Sequence, residues 1–128
     1  MSYYHAKTIS ASFEEAVSRT KEALKAQGFG VITEIDVRDT LKKKIDVDFR
    51  PYRILGACNP ALAHEALQLE DKVGTMLPCN VVVQQVRPGQ CEVAAIDPVA
   101  SMQAIANKAL LQRAQGVGAK LKMAIDSL

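Results

Sequence analysis

The chain has 128 residues, with 16 basic against 14 acidic side chains and a formal charge of +2. That length fits one domain able to bury a core without disulfides or a structural metal. So small a net charge builds no field that would hold the chain on nucleic acid or anionic lipid, and neither is expected as a partner.

Tyr4 to Ile9 can form a first strand, and Ser12 and Glu15, three apart, make a capping box where a helix begins. Phe13, Ala16, Val17, Thr20, Ala23 and Leu24 recur every three or four residues, so the helix should run to about Gln27, with Gly28 suited to the left-handed turn that ends it. From Phe29 the period changes to two. Phe29, Val31, Thr33, Ile35 and Val37 are expected on one face of a second strand, with Glu34 and Asp36 on the other. A short helix follows through Leu41 and Ile45, as far as Phe49, before Pro51 stops it. Its Lys42-Lys43-Lys44 run reads as a solvated face.

Tyr52 to Ala57 form the third strand, apolar on both sides, so each side needs a cover. Asn59 is an N-cap and Pro60 a first helical residue for a helix through Leu62, Ala63, Ala66 and Leu67. After a loop containing Gly74, strands from Asn80 and from Cys91 to Ile96 make a hairpin around a type II turn at Pro88-Gly89. A long amphipathic helix then runs from Met102 to Ile125, and Gly116 and Gly118 predict a bend or break in its middle.

The order β-α-β-α-β-α-β-β-α reads as a single α+β domain, a mainly antiparallel sheet with its helices on one face. Nearly half the residues, 48%, are apolar, rich for so short a chain, and the open sheet face is expected to be covered by a second copy in a homodimer. Apolar runs nowhere reach the ~18 residues of a membrane-spanning helix, so no membrane partner is expected. Three cysteines without a close-spaced pair suit a reducing compartment, and a cytoplasmic location is the expectation.

Chemistry is to be sought at Cys58 and Cys79. Cys58 directly precedes the Asn59-Pro60 helix start, where free backbone amides and the helix dipole favour a thiolate. Cys79, between Pro78 and Asn80, also stands at an element end. Against this, free cysteine often serves as a small buried hydrophobe. The two roles stand about even for Cys58, and packing leads for Cys79 and more clearly for Cys91. A zinc site wants a close ligand pair, which Cys58, Cys79, His5 and His64 do not include, and His64 should face solvent. Glu34 with Asp36 could be paired carboxylates, but a solvated face, or Asp36 as a helix cap, is the plainer role. No phosphate loop, nucleophile elbow or cofactor-binding pattern occurs.

Gly28-Phe29-Gly30-Val31, Glu34-Ile35-Asp36-Val37, the stretch from Pro51 through Cys58-Asn59-Pro60, and Leu77-Pro78-Cys79-Asn80-Val81 together resemble the bacterial and archaeal family called Domain of Unknown Function 302. The resemblance implies an α+β fold similar to the TATA-binding-protein-like class, usually a homodimer, with no assigned activity. It implies no DNA binding, because fold and function separate readily. Three functional readings follow. The first is a dimeric binding module whose cleft, lined by Cys58, Asn59, Pro78, Cys79 and Asn80, holds a small ligand or partner segment. The second is a thiol-dependent enzyme or sulfur carrier with Cys58 as nucleophile and Cys79 resolving it. The third, ranked last, is metal binding through both cysteines.

Overall fold

The computed structural model describes residues 2–128. Five strands form one antiparallel sheet: β1 (Tyr4–Ser10), β2 (Gly30–Asp36), β3 (Tyr52–Cys58), β4 (Cys79–Arg87) and β5 (Gln90–Ile96), in the spatial order β1-β5-β4-β3-β2. The helices are α1 (Phe13–Ala26), α2 (Val37–Ile45), α3 (Pro60–Leu69), a 3-10 helix (Asp71–Met76), the single turn α4 (Pro98–Ser101) and α5 (Lys108–Asp126). The expected α+β class and element order hold, with the 3-10 helix and α4 as additions.

Local chemistry sets most element ends. Ser12 Oγ accepts the Glu15 N–H at 3.3 Å to start α1, and Gly28 (φ +87°) takes the positive φ that turns the chain into β2. Asp36 Oδ1 accepts the Asp39 N–H at 2.9 Å, which makes Asp36 the cap of α2 and places Val37 in that helix rather than in β2. Asp46, with φ 53°, ends α2 before Phe49 is reached. Pro88-Gly89 is the two-residue link between β4 and β5, with Gly89 at φ +79°.

Two further expectations are corrected. The register of β2 against β3 shifts between Val31 and Thr33, so Ile32 is the extra residue of a bulge. The bulge reverses the alternation: Val31, Glu34 and Asp36 point to the helical side, opposite Ala57, Leu55 and Arg53, while Thr33 and Ile35 turn to the open face. The last helix, in turn, is continuous through Gly116 and Gly118, and the interruption lies upstream, between Ser101 and Lys108. Asn107 dictates it, because its Oδ1 accepts the Leu110 N–H at 3.1 Å as a fresh N-cap and its Nδ2 donates to the Leu69 carbonyl at 2.9 Å. A Cβ at Gly118 would lie 3.5 Å from the Pro98 ring, so this glycine sits where α4 meets α5.

Helices α1 and α5 lie on one face of the sheet. The main core fills that layer, with Leu24, Leu55, Val81, Val83, Val93, Leu121 and Ile125 all at most 1% exposed. A second cluster of Ala66, Val73, Met102, Leu110 and Ala114 joins α3, the 3-10 helix and the first half of α5. Between these two cores lies the cavity described next.

Candidate functional site

Antiparallel pairing of β3 with β4 sets the site. Cys79, the first residue of β4, stands opposite Ala57, so the end of β3 at Cys58 and the start of β4 come side by side although far apart in sequence. The chain then turns from Cys58 into α3 through Asn59-Pro60, and α3 crosses to meet α5. A cavity of about 250 Å³ remains between these elements. Its floor is Ala57, Cys58 and Cys79, and its walls include Leu62, Leu77, Met102 and Leu110. The space exists because small side chains, Ala57, Ala63, Ala66 and Ala114, face it from three elements. The bulge brings Ile32, 63% exposed, to its mouth, and Arg113 of α5 stands there as its charged lining residue.

The two thiols differ. Cys79 is buried, and desolvation, followed by the neighbouring Cys58, pushes its pKa up to about 11, so it is a neutral thiol near pH 7. Cys58 is half-buried. At the α3 start beside it, Pro60 has no N–H, Asn59 Oδ1 takes the Leu62 N–H at 3.2 Å, and the Asn59 carbonyl takes that of Ala63 at 2.9 Å. No histidine lines the cavity. His64 is exposed on α3, and His5 Nε2 lies 2.7 Å from Asp126 Oδ1 where α5 ends over β1. Among the described residues no three His, Cys, Asp or Glu side chains cluster in a way that could hold a metal ion.

The close approach beside the cysteines depends on Gly56. A Cβ there would lie 2.0 Å from Thr33 Oγ1 and 2.7 Å from Pro78 Cγ, so Thr33 and Pro78 close over a position only glycine fits.

The family described as "Domain of unknown function DUF302" matches residues 5–128. This chain belongs to that family. Among solved structures it is similar to the "uncharacterized conserved protein DUF302 from Bacillus stearothermophilus", at 30% identity and TM-score 0.90, over 98% of each chain. No curated protein matches.

Within this family member, Cys58, Asn59, Pro78 and Cys79 line one cavity, whereas Asn80 does not. The alternation of β4 turns Asn80 to the open sheet face, beside Val82 and Ile96. Glu34 and Asp36 do share a face, but they serve Arg53, whose guanidinium is 3.3 Å from Glu34, 3.5 Å from Asp36 and 3.0 Å from Glu14 of α1. The Lys21 hydrogen bond at 2.9 Å, against some burial, holds the Glu34 carboxyl below its usual range. This network ties α1 to the β2 edge of the sheet. Cys91 is a packing residue, fully buried, with its Sγ 3.6 Å from the Ala11 carbonyl. Lys42 pairs with Asp46 and Asp48, and Lys43 with Asp39, all at the surface. Sequence reading missed Phe29, Ile32, Met102, Leu110 and Arg113 as lining residues. Phe29, Met102 and Leu110 were visible on apolar faces, whereas the period of two puts Ile32 on the Glu34 and Asp36 side of its strand, and no local signal marks Arg113.

No helix is long and apolar enough to cross a membrane among the described residues.

Proposed function

We propose that the protein is a homodimeric binding module, in a reducing cytoplasm, whose ligand is a small apolar molecule held in the cavity beside Cys58 and Cys79. The observation that carries this reading is the cavity itself, about 250 Å³ with apolar walls from both cores. An apolar cavity of roughly 150 Å³ stays dry and takes up benzene, so one of this size suits a ligand of about ten non-hydrogen atoms. Binding of this kind needs no base, and none is present in the lining. A titration of the protein with 1-octanol, followed by NMR, should give saturable shifts at Cys58, Ala63 and Ala114. Shifts that stay linear up to the solubility limit would remove the proposal.

The open sheet face supports the dimer. The registers place Ala6, Ala94, Val82, Ile54 and Ile35 in one row across all five strands. Among the strand residues of that face the charged ones are Glu92 and, at the end of β4 opposite Gln90, Arg87; Glu92 accepts from Gln84 at 3.2 Å, and Gln84 accepts from Arg50 at 2.9 Å. A two-fold axis sets a patch against itself, which an apolar, nearly uncharged face tolerates and a charged one does not. Light scattering should report twice the chain mass, and Val82→Lys should halve it. A wild-type monomer at micromolar concentration would overturn this part.

The thiol reading stands second, supported by the placement of both sulfurs in one cavity. It expects Cys58 to be alkylated well below the pH at which an ordinary thiol reacts.

A further inference from the structure

We infer that the ligand of this cavity is a small amphiphilic monocarboxylate, its carbon body in the cavity and its carboxylate on the guanidinium of Arg113. The inference rests on the binding reading above and adds the chemistry of the ligand's polar end.

The lining is apolar and carries no negative charge. Apart from the two thiols, its polar side chains are Asn59 and Arg113, and no carboxylate lines it. Asn59 Oδ1 is occupied by the Leu62 N–H, whereas Asn59 Nδ2 has no hydrogen-bond partner among the described residues. Gly28 lets this amide lie close against the backbone, since a Cβ there would stand 3.1 Å from Nδ2. Gly28 does not line the cavity, so this N–H₂ lies toward its rim, and recognition of the ligand's polar end falls to Arg113.

Arg113 supplies the charge. Its Nε lies 3.5 Å from Glu65 Oε2, across from α5 to α3, and that oxygen is buried without a hydrogen-bond partner. The pair is thus a loose electrostatic contact on one edge of the guanidinium. Glu65 meets only the Nε edge, and among the described residues no hydrogen bond engages the other N–H groups, which leaves them for a second carboxylate. A planar five-donor fork can serve two such acceptors from two edges, which a lysine ammonium does less well. A neutral alcohol could accept a hydrogen bond there but brings no charge to pair with the guanidinium. An amine would meet Arg113 as a like charge at the mouth.

Three probes of equal chain length separate these cases: octanoate, 1-octanol and octylamine, titrated calorimetrically into the protein at pH 7 and low salt. Octanoate should bind at least about tenfold more tightly than 1-octanol, the scale expected of a charge-assisted hydrogen bond. Arg113→Gln should remove the advantage of octanoate over the alcohol. Arg113 is 59% exposed, so this variant should fold, and the selectivity of the wild type tests the inference without it. Octanol binding as tightly as octanoate, or octylamine binding tightest, overturns the carboxylate assignment and leaves the apolar site standing. No saturable binding of any of the three overturns both.

Discussion

The two cores of this domain are built by different rules. Between the sheet and helices α1 and α5, branched side chains from both layers meet: Leu24, Leu121 and Ile125 face Leu55, Val81, Val83 and Val93. Where α3 and the first half of α5 close over the ends of β3 and β4, alanines face one another and about 250 Å³ stays unfilled. Both regions are apolar, so hydrophobic burial alone does not tell them apart. What differs is volume: in the first layer buried branched side chains meet across the sheet, and in the second the side chains are too short to reach across. An alanine that looks like a core residue in sequence is therefore filler in one region and the boundary of a space in the other.

Cys79 belongs to both regions, being part of the main core and a wall of the cavity, and its titration gives the largest test of the contrast. Its pKa is raised by burial from 9.0 to about 11. The folded state thus keeps a proton that the unfolded chain gives up first, so the contribution is intact below the unfolded pKa and is lost as pH rises through the folded one. Urea unfolding from pH 8 to 11 should show stability falling by roughly 2 to 3 kcal/mol on account of Cys79, at up to ~1.4 kcal/mol per pH unit, and Cys79→Ala should remove that part, leaving the share of the buried Cys91 thiol, which burial also pushes up. An unchanged slope in the variant would mean that the cavity admits enough water to solvate the thiolate, and with it that the space is not apolar in practice.

Filling each region with the same side chain comes next in size. Ala124→Leu, in a layer where Ala124 is 0% exposed and surrounded, should destabilise by ~2 kcal/mol through overpacking. Ala114→Leu should be neutral or stabilising by about 1 kcal/mol, because its added carbons enter existing space, and should abolish 1-octanol binding. Denaturant midpoints and the NMR titration read both outcomes. Equal destabilisation by the two changes would collapse the distinction between the cores.

The smallest effect concerns α5, which spans both regions. A Cβ at Gly116 would meet nothing within 4 Å, so Gly116→Ala should raise stability by about 1 kcal/mol through helix propensity alone. Thermal unfolding would show this as a shift of a few degrees without change in ligand affinity. A loss of stability would mean that the helix needs to bend there after all.

Much of the frame was legible because it is set locally. The Ser12, Asp36 and Asn59 caps, the positive φ of Gly28 and the Pro88-Gly89 link are interactions within a few residues, and each is found where its sequence signal stands. The errors have one cause. A strand alternates with period two only while its register is kept, and the extra residue at Ile32, visible only against β3, reversed the faces of β2. The two glycines of the last helix looked like breakers because propensity costs were read without neighbours. Asn107, bonded to Leu69 across the fold, set the actual start of α5.

For the site, the sequence by itself determined the cysteine-bearing ends of β3 and β4, the cap that starts α3, and membership in an α+β family, because these depend on short-range rules and on motif identity. Only the tertiary structure decided that Cys58 and Cys79 share a cavity, that Asn80 faces the other side of the sheet, and that Arg113 stands at the mouth. The reason is physical: an empty volume, and a charge at its edge, are properties of several elements meeting, and no single segment carries a record of what the others leave unfilled.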